Sequence, residues 1–335
     1  MRRASLLKFS LDMDSGVFVR DEHLTSRDGY IVKLEEDKKI GYGEIAPLPG
    51  FSEETLEQVF VQAQEMLIQW LDNKALDYTH AYASVAFGIS MAQAELEDRI
   101  PHQITYESVV LCSGDPDDVM KHLENVTPKV AKEKVGLYEP IRDALTTKTL
   151  LQSLPDLHLR LDANRSWNEK KAAYFVKYLP LELRKRILFF EEPCKTVELS
   201  IKFAQENQFK LAWDESLREA LLNQDEDRVN FLLQCDEANT IVIKPSITGS
   251  LDRCLALVQS AQQYGKEVVI SSSFETSFGL SQLSRLAKWL TPETLPGLDT
   301  LRFFAEQLEV KWPGFNTNKY IKFEELEISW FKNAL

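Results

Sequence analysis

Six short apolar runs in the last two-thirds of the chain each end in a residue that can take part in chemistry. The six terminal residues are Lys134, Asp162, Glu191, Asp214, Lys244 and Ser271. Successive members are about 23 to 30 positions apart, which is the length that one strand and one returning helix need. This spacing predicts a parallel β/α barrel, in which the carboxyl ends of the strands meet at one rim. We therefore expect the six side chains to face the same mouth.

The order of strand and helix patterns divides the chain into two domains. Residues 1–100 place short strands before helices, which is typical of an α+β domain, and Ser52 is predicted to cap the first helix. Residues 101–301 alternate strand and helix. The strands are predicted at residues 108–112, 129–135, 157–162, 187–191, 211–214, 240–244 and 267–272, with an eighth, poorly patterned one near Leu298.

The predicted fold class is therefore α/β. It combines a (β/α)7β TIM-like barrel at residues 101–301, which carries the catalytic residues, with an N-terminal α+β capping domain at residues 1–100. The C-terminal segment, residues 302–335, is rich in aromatic side chains and is expected to pack back onto the protein.

Charge and hydropathy narrow the classes of partner. The formal net charge of −13 opposes binding to nucleic acid or to an anionic membrane, because both need a clustered basic surface. No apolar stretch reaches the roughly 18 residues of a membrane-spanning helix, and Lys8 interrupts the N-terminal run before a signal sequence can form. We therefore expect a cytoplasmic protein whose thiols are reduced. The oligomeric state is left open by the sequence.

Three carboxylates, Asp162, Glu191 and Asp214, follow three consecutive predicted strands. A buried carboxylate is costly unless it is paired or bound to a metal. For any one of them a surface salt bridge would be the better interpretation, but three in consecutive units favour a metal site. Because no histidine lies near, the all-oxygen set suits Mg²⁺, with Mn²⁺ left open as a substitute.

Two lysines share one face of a predicted strand, because Lys132 and Lys134 are two positions apart. Each should disfavour protonation of the other, and apolar walls should lower the pKa of both, as a general base near neutral pH requires. Lys244 should face the site from the opposite side. For Lys132, simple neutralisation of the carboxylates is an equally good interpretation.

Four further residues are candidates for substrate binding. Arg160 lies two positions before Asp162, so its guanidinium can orient a substrate carboxylate or pair with a protein one. Ser271 and Ser272 offer hydroxyl and amide groups to an anion, although serine runs are also common in turns. Gly297 either lets a ligand approach the backbone or makes a turn. Together these residues predict a small-molecule carboxylate substrate.

The whole pattern resembles the enolase superfamily, with two lysines on one strand, three acidic metal ligands on the next three strands and then another lysine. Within that superfamily the chain resembles the o-succinylbenzoate synthases. The segments that carry this resemblance are residues 43–52, 131–139, 160–165, 190–196, 212–219, 243–246, 270–273 and 296–300. The synthase signature is shared in part with racemases.

The resemblance implies a Mg²⁺-dependent syn dehydration of 2-succinyl-6-hydroxy-2,4-cyclohexadiene-1-carboxylate to 2-succinylbenzoate, a step towards menaquinone or phylloquinone. Lys134 would remove the proton beside the ring carboxylate, giving an enediolate, and would return that proton to the departing hydroxyl group. Lys244 would lie over the opposite face as a cation, and Lys132 would touch the carboxylate. The metal ligands would be Asp162, Glu191 and Asp214.

The resemblance also assigns the substrate's succinyl arm to Ser271, Ser272 and Gly297. The loop at residues 47–51, together with the region of Arg27, would close over the substrate and exclude water. The alternative is an N-acylamino acid racemase or dipeptide epimerase that uses Lys134 and Lys244 as two bases. A barrel that only binds a metal or a partner is disfavoured, because binding alone has no use for such a lysine pair.

Overall fold

The computed structural model describes residues 1–19, 22–112, 116–313, 315, 317 and 319–334. These residues form two compact units. The first unit comprises Met1–Glu107, Ile243–Gln259 and Ile270–Leu335, and the second comprises Ser108–Val242 and Ser260–Val269. The domain boundaries predicted near residues 100 and 301 stay predictions. Four positions of the predicted C-terminal segment, 314, 316, 318 and 335, lie outside the described residues.

The strands and helices alternate along most of the chain. The strands are β1 (Arg2–Val19), β2 (Glu22–Glu36), β3 (Lys39–Ile45), β4 (Val110–Cys112), β5 (Val130–Lys134), β6 (His158–Asp162), β7 (Ile187–Glu191), β8 (Leu211–Trp213), β9 (Ala238–Ile243), β10 (Glu267–Ile270), β11 (Gln307–Leu308), β12 (Tyr320–Ile321) and β13 (Glu327–Asn333). The helices are α1 (Leu56–Leu71), α2 (Ala83–Leu96), α3 (Pro116–Glu124), α4 (Pro140–Ser153), α5 (Glu169–Tyr178), α6 (Leu181–Arg184), α7 (Val197–Asn207), α8 (Glu215–Leu222), α9 (Glu226–Gln234), α10 (Pro245–Thr248), α11 (Leu251–Gln263) and α12 (Ser277–Leu290). No helix in the described ranges is both long and apolar enough to cross a membrane.

The first unit is built on an antiparallel sheet with the strand order β13-β1-β2-β3. Alternate residues of its strands, such as Leu6, Val32 and Leu34, are buried against α1 and α2. The close contact of β3 with α2 depends on glycine, because a Cβ atom on Gly43 would lie 1.9 Å from the carbonyl oxygen of Gly88. Any larger residue at position 43 would therefore push the helix away from the sheet.

The cap of α1 differs from the prediction. The N-cap is Thr55, whose hydroxyl oxygen accepts from the backbone N–H of Gln58, while the Gln58 side chain accepts from the N–H of Thr55. This reciprocal pair satisfies two N–H groups that a helix start leaves without partners. The Ser52 hydroxyl oxygen instead accepts from the N–H of Leu48 and closes the preceding turn. The prediction for Ser52 was wrong because both residues are good caps and only Thr55 has glutamine three positions later.

The second unit contains the predicted parallel sheet, and the fold class is confirmed. Within the described residues the strand order is β10-β9-β8-β7-β6-β5-β4, so each strand lies beside its neighbour in sequence. The pairings from β4 to β9 are parallel. The predicted eighth strand near Leu298 is reduced to one parallel bridge between Ser271 and Gly297.

An apolar cluster lines one face of this sheet. Its buried members are Phe189, Ala212, Val242 and Val269. Each lies two positions before a predicted site residue, namely Glu191, Asp214, Lys244 and Ser271. Because side chains two apart on a strand share a face, the apolar layer forms the floor beneath the residues at the strand ends.

Glu133 lies on β5 between Lys132 and Lys134, and alternation places it on the opposite face of the strand. The residue is buried and accepts a hydrogen bond from the hydroxyl group of Thr147 on α4, at 2.8 Å. Burial raises the pKa of Glu133 to about 8, and the nearby Asp143 carboxylate adds to that shift. The carboxyl group is therefore protonated at neutral pH in the folded chain.

We expect Glu133→Gln to remove a pH dependence of stability. The unfolded chain ionises this group near pH 4.5 and the folded chain only near pH 8, so wild-type stability falls as pH rises between those values. The expected slope is about 1.4 kcal/mol of unfolding free energy per pH unit. Urea unfolding of the wild type and of Glu133→Gln at pH 5.5, 6.5 and 7.5 measures this change of unfolding free energy with pH. Parallel curves for the two proteins would contradict the prediction.

Candidate active site

Lys134, Asp162 and Glu191 form a row across three adjacent strand ends. Each is the last residue of its strand, β5, β6 or β7. The register pairs Lys134 with Asp162 and Asp162 with Glu191. The row arises because three parallel strands end at the same level in the sheet, as the sequence spacing predicts. Three of the predicted site residues are thus brought together by backbone pairing alone.

Lys132 lies beside this row and contacts two of its members. Its Nζ atom is 2.7 Å from Asp162 Oδ2 and 2.8 Å from Glu191 Oε2. Lys134 Nζ is 2.8 Å from the same Asp162 oxygen. The Asp162 and Glu191 side chains are only 1% and 3% exposed, so these ammonium groups supply the charge compensation that buried carboxylates need.

The pKa values follow from these contacts. Burial alone would raise the pKa of Asp162, but the two ammonium groups hold it far below its ordinary value. Burial would lower the pKa of Lys132, yet Asp162 and Glu191 raise it well above its ordinary value. The predicted lowering of the Lys132 pKa was wrong, because the carboxylates contact its ammonium group directly and outweigh both Lys134 and the apolar surroundings.

Asp214 follows β8 and occupies the N-cap position of α8. It is buried, and its backbone N–H donates to Glu192 Oε1 at 3.0 Å. The Glu192 carboxylate also accepts from the backbone N–H and the hydroxyl group of Ser216, both at 2.7 Å, and from Arg165 Nε at 2.5 Å. Glu192 therefore fixes the chain on either side of Asp214. Burial and the charge of Glu215 raise the pKa of Glu192 to about 7, against the opposing charge of Arg165.

The carboxylate oxygens at the strand ends are suitable ligands for a divalent ion, although the three predicted ligands do not converge on one point. Across the residues that the structure describes, no three acidic, histidine or cysteine side chains come close enough together to hold a metal. The Lys132 ammonium group lies where a cation contacts both Asp162 and Glu191. Two buried carboxylates around one cation are the oxygen environment that Mg²⁺ prefers. The ligand set of Asp162, Glu191 and Asp214 stays a prediction.

Arg160 is buried on the same face of β6 as Asp162, as predicted. The carbon atom of its guanidinium group lies 5.4 Å from the ring centre of Phe189 in the apolar floor. Burial lowers the pKa of Arg160 to about 10, against the opposing charges of Glu267 and Glu191. Its assignment to a substrate carboxylate stays a prediction.

The remaining predicted residues belong to the first unit, where Ser271, Ser272 and Gly297 lie together. The N–H of Gly297 donates to Ile270 O at 2.9 Å, and the N–H of Ser272 donates to Gly297 O at 3.0 Å. A Cβ atom on residue 297 would lie 3.0 Å from the Ser271 hydroxyl oxygen, so glycine keeps this space open. The three residues share one short bridge, but their role as a binding site stays a prediction.

Lys244 follows β9, also as predicted, and its Nζ atom lies 5.4 Å from the ring centre of Phe51. That distance is within the range of a cation–π contact. Phe51 belongs to the loop at residues 47–51, so this loop is in contact with the predicted catalytic lysine.

Arg27 lies against the loop at residues 47–51. The residue is 1% exposed, and its guanidinium group donates to the carbonyl oxygens of Ala46 and Pro47 at 2.5 Å and of Phe274 at 3.0 Å. These hydrogen bonds connect the loop to the turn after β10. Closing of the loop and the region of Arg27 over a substrate stays a prediction.

Four polar residues that form side-chain hydrogen bonds at the strand ends of the second unit were not predicted from the sequence. They are Asn164, Arg165, Glu192 and Glu215. All four lie within one to three positions of a predicted metal ligand. That proximity was the available signal, but polar residues after a strand are also ordinary turn residues, and the sequence does not distinguish the two.

Two family profiles match the chain. One is described as "MenC, N-terminal domain" and matches residues 1–96, and the other as "Enolase C-terminal domain-like" and matches residues 120–308. The o-succinylbenzoate synthase of Vibrio cholerae serotype O1 is 48% identical over 331 residues, which are 98% of each chain. The o-succinylbenzoate synthase of Photorhabdus laumondii is 47% identical over 98% of this chain and 99% of that one.

Solved structures share the fold at lower identity. The o-succinylbenzoate synthase of Thermosynechococcus elongatus BP-1, with Mg in its active site, is 23% identical with a TM-score of 0.72 and covers 90% of this chain and 94% of that one. The L-Ala-D/L-Glu epimerase of Bacillus subtilis is 17% identical with a TM-score of 0.70 and covers 89% of each chain. At these identities the comparison shows a shared fold and nothing about the activity.

Arg165→Met should destabilise the chain, because the buried Glu192 carboxyl group loses its counter-charge and has to take up a proton. We expect a loss of about 2 to 3 kcal/mol of unfolding free energy, somewhat less than for a fully buried pair because Arg165 is 23% exposed. The double variant with Glu192→Gln should recover part of that loss. Urea unfolding of the two single variants and the double variant gives the coupling energy, and strictly additive losses would refute a direct interaction.

Proposed function

The chain belongs to the o-succinylbenzoate synthase family of the enolase superfamily, and we infer from this that it is a carbon–oxygen lyase. It dehydrates 2-succinyl-6-hydroxy-2,4-cyclohexadiene-1-carboxylate to 2-succinylbenzoate, a step of menaquinone or phylloquinone biosynthesis. The observation that carries this conclusion is the 48% identity to a curated synthase over 98% of both chains. A cytoplasmic location is part of the same proposal.

Lys134 is proposed as the group that moves the proton. As a neutral amine it removes the proton from the ring carbon that bears the carboxylate, and the electron pair of that C–H bond passes into the carboxylate as an enediolate. The ring C–O bond then breaks, the hydroxyl group takes the proton from Lys134 and leaves as water, and the ring becomes aromatic. The Lys134 side chain is 36% exposed and that of Lys132 only 20%, which supports Lys134 as the group that reaches the substrate.

Lys132 is proposed to act as a fixed cation and not as a base. Burial lowers the pKa of Lys132, but the charges of Asp162 and Glu191 outweigh that effect and raise it, which favours the protonated form. A permanent positive charge beside Lys134 favours the carboxylate end of the substrate. The different roles of the two lysines, proton transfer for Lys134 and fixed positive charge for Lys132, therefore follow from the number of carboxylates that each one contacts.

Asp162, Glu191 and Asp214 are proposed to hold a divalent ion, Mg²⁺ by preference and Mn²⁺ as a substitute. When bound, this ion supplies positive charge against the anion that forms as the proton leaves. Arg165 and Glu192 keep the chain around Asp214 in place through the hydrogen bonds described above. Asp214 is thus held by residues that have no direct part in the chemistry.

Five further residues are proposed to bind the other parts of the substrate. Lys244 is assigned to the delocalised charge of the ring as a cation, and its cation–π contact with the ring of Phe51 supports this role. Ser271, Ser272 and Gly297 bind the succinyl arm. Arg160, buried among apolar side chains, is assigned to orienting the substrate carboxylate.

Lys134→Ala should abolish the dehydration, because one residue serves as both base and acid. The expected loss of kcat is about 10²- to 10⁴-fold. An ultraviolet assay of aromatic product, with the cyclohexadiene carboxylate and Mg²⁺, measures it. Lys170→Ala, an exposed lysine at the start of α5, is the matched control and should keep wild-type activity. Near-normal turnover by Lys134→Ala would remove this lysine from the mechanism.

Removal of divalent ions should also abolish activity. After thorough EDTA treatment we expect no formation of aromatic product, and addition of Mg²⁺ should restore it because the carboxylate ligands stay in place. Activity that survives chelation would exclude the metal from the reaction. The racemase alternative is tested in deuterated water: exchange of the α proton of N-succinyl amino acids faster than 2-succinylbenzoate formation would favour it.

A further inference from the structure

We propose that Asn164 is a positioning residue for the dehydration, and that its side-chain amide fixes the direction in which the Lys134 nitrogen faces the substrate. The inference rests on the proposed function, because it assigns a partner to the proton-moving residue. Asn164 lies two positions after Asp162, and neither the spacing of the predicted strands nor the fold gives it a role.

The first observation is the contact itself. Lys134 Nζ donates to Asn164 Oδ1 at 2.5 Å and to Asp162 Oδ2 at 2.8 Å. The nitrogen of Lys134 therefore has two acceptors on two different residues. One acceptor is a charged carboxylate and the other an uncharged amide.

The second observation is that the amide of Asn164 has a defined orientation. Its Nδ2 atom donates to Glu215 Oε1 at 2.9 Å, so the NH₂ group faces Glu215 and the Oδ1 atom faces Lys134. Glu215 is buried in the first turn of α8, so the orienting group is itself held in place.

The third observation is that the backbone at Asn164 is fixed as well. Its N–H donates to Asp162 Oδ1 at 3.0 Å, and its φ of +43° lies in the left-handed region that asparagine tolerates better than most residues. Asn164 is exposed at the strand ends. Its position thus depends on these hydrogen bonds and not on packing.

Two hydrogen-bond acceptors around the Lys134 nitrogen define the direction of its lone pair. A neutral lysine nitrogen has two N–H bonds and one lone pair. When Asn164 and Asp162 accept the two N–H bonds, the lone pair has a single direction left, and the third N–H of the protonated form takes that same direction. This geometry favours proton removal and proton return on one face of the ring, because the N–H bond that forms already points towards the substrate.

The test is Asn164→Gly, which keeps a residue suited to the left-handed backbone and deletes the amide. We expect kcat to fall about 10- to 100-fold while KM stays within about twofold. With substrate deuterated at the α carbon, the isotope effect on kcat should increase, because proton removal becomes the slow step. Asn164→Ala should give the same pattern, which separates loss of the amide from the flexibility of glycine.

Asn168→Gly is the matched control. Asn168 also makes a side-chain hydrogen bond, as the N-cap of α5, but it accepts from Lys171 N and does not contact Lys134 in the described structure. This variant should keep wild-type kcat, KM and isotope effect.

Binding of Mg²⁺, followed by calorimetry, distinguishes a role at Lys134 from a role at Asp162. Unchanged affinity in Asn164→Gly supports positioning of the lysine. A fall in Mg²⁺ affinity that matches the loss of kcat would overturn the inference, and so would a kcat within about twofold of wild type in both deletion variants. If the wild-type chain itself forms no 2-succinylbenzoate, the proposed function fails and the inference fails with it.

Discussion

The ammonium group of Lys132, shared between Asp162 and Glu191, is the interaction on which the strand ends of the second unit depend. Adjacent parallel strands place these two carboxylates side by side, and both are almost completely buried. Without a cation between them, each would face a like charge in a medium that screens charge poorly. The lysine therefore allows acidic residues to end neighbouring strands, and this arrangement is what makes a cation site possible there.

The same solution recurs one strand further along. Glu192 is buried beside Asp214 and is compensated by Arg165, while backbone and hydroxyl donors of the next segment complete its hydrogen bonds. In the first place the Lys132 ammonium group joins carboxylates of two strands, and in the second the Glu192 carboxyl group joins the end of its own strand to the segment after β8. The rim of the sheet is thus held by charge pairs and backbone hydrogen bonds, whereas its floor is held by apolar packing.

The strands and the residues at their ends could be predicted, because apolar runs and a regular spacing are local properties of the sequence. The direction in which the pKa of Lys132 shifts could not be predicted, because it depends on how closely side chains of three different strands approach one another. The partners of Arg27 could not be predicted for a similar reason: only the folded chain shows that four carbonyl oxygens surround its guanidinium group. Asn164 and Glu192 carry no pattern of their own, since their partners lie on other elements. For Ser52 and Thr55, two good caps in one short segment left the choice to the residue that follows three positions later.

The pairing of β1 with β13 has a consequence for synthesis on the ribosome. Arg3 pairs with Asn333, so the antiparallel sheet of the first unit cannot be completed until the segment around residue 333 has left the exit tunnel. The strands β4 to β9, by contrast, come from one continuous stretch and are available long before. Until β13 is available, the edge of β1 that it covers has backbone N–H and C=O groups without a partner strand, and a product that lacks β13 would offer this edge for pairing with other chains.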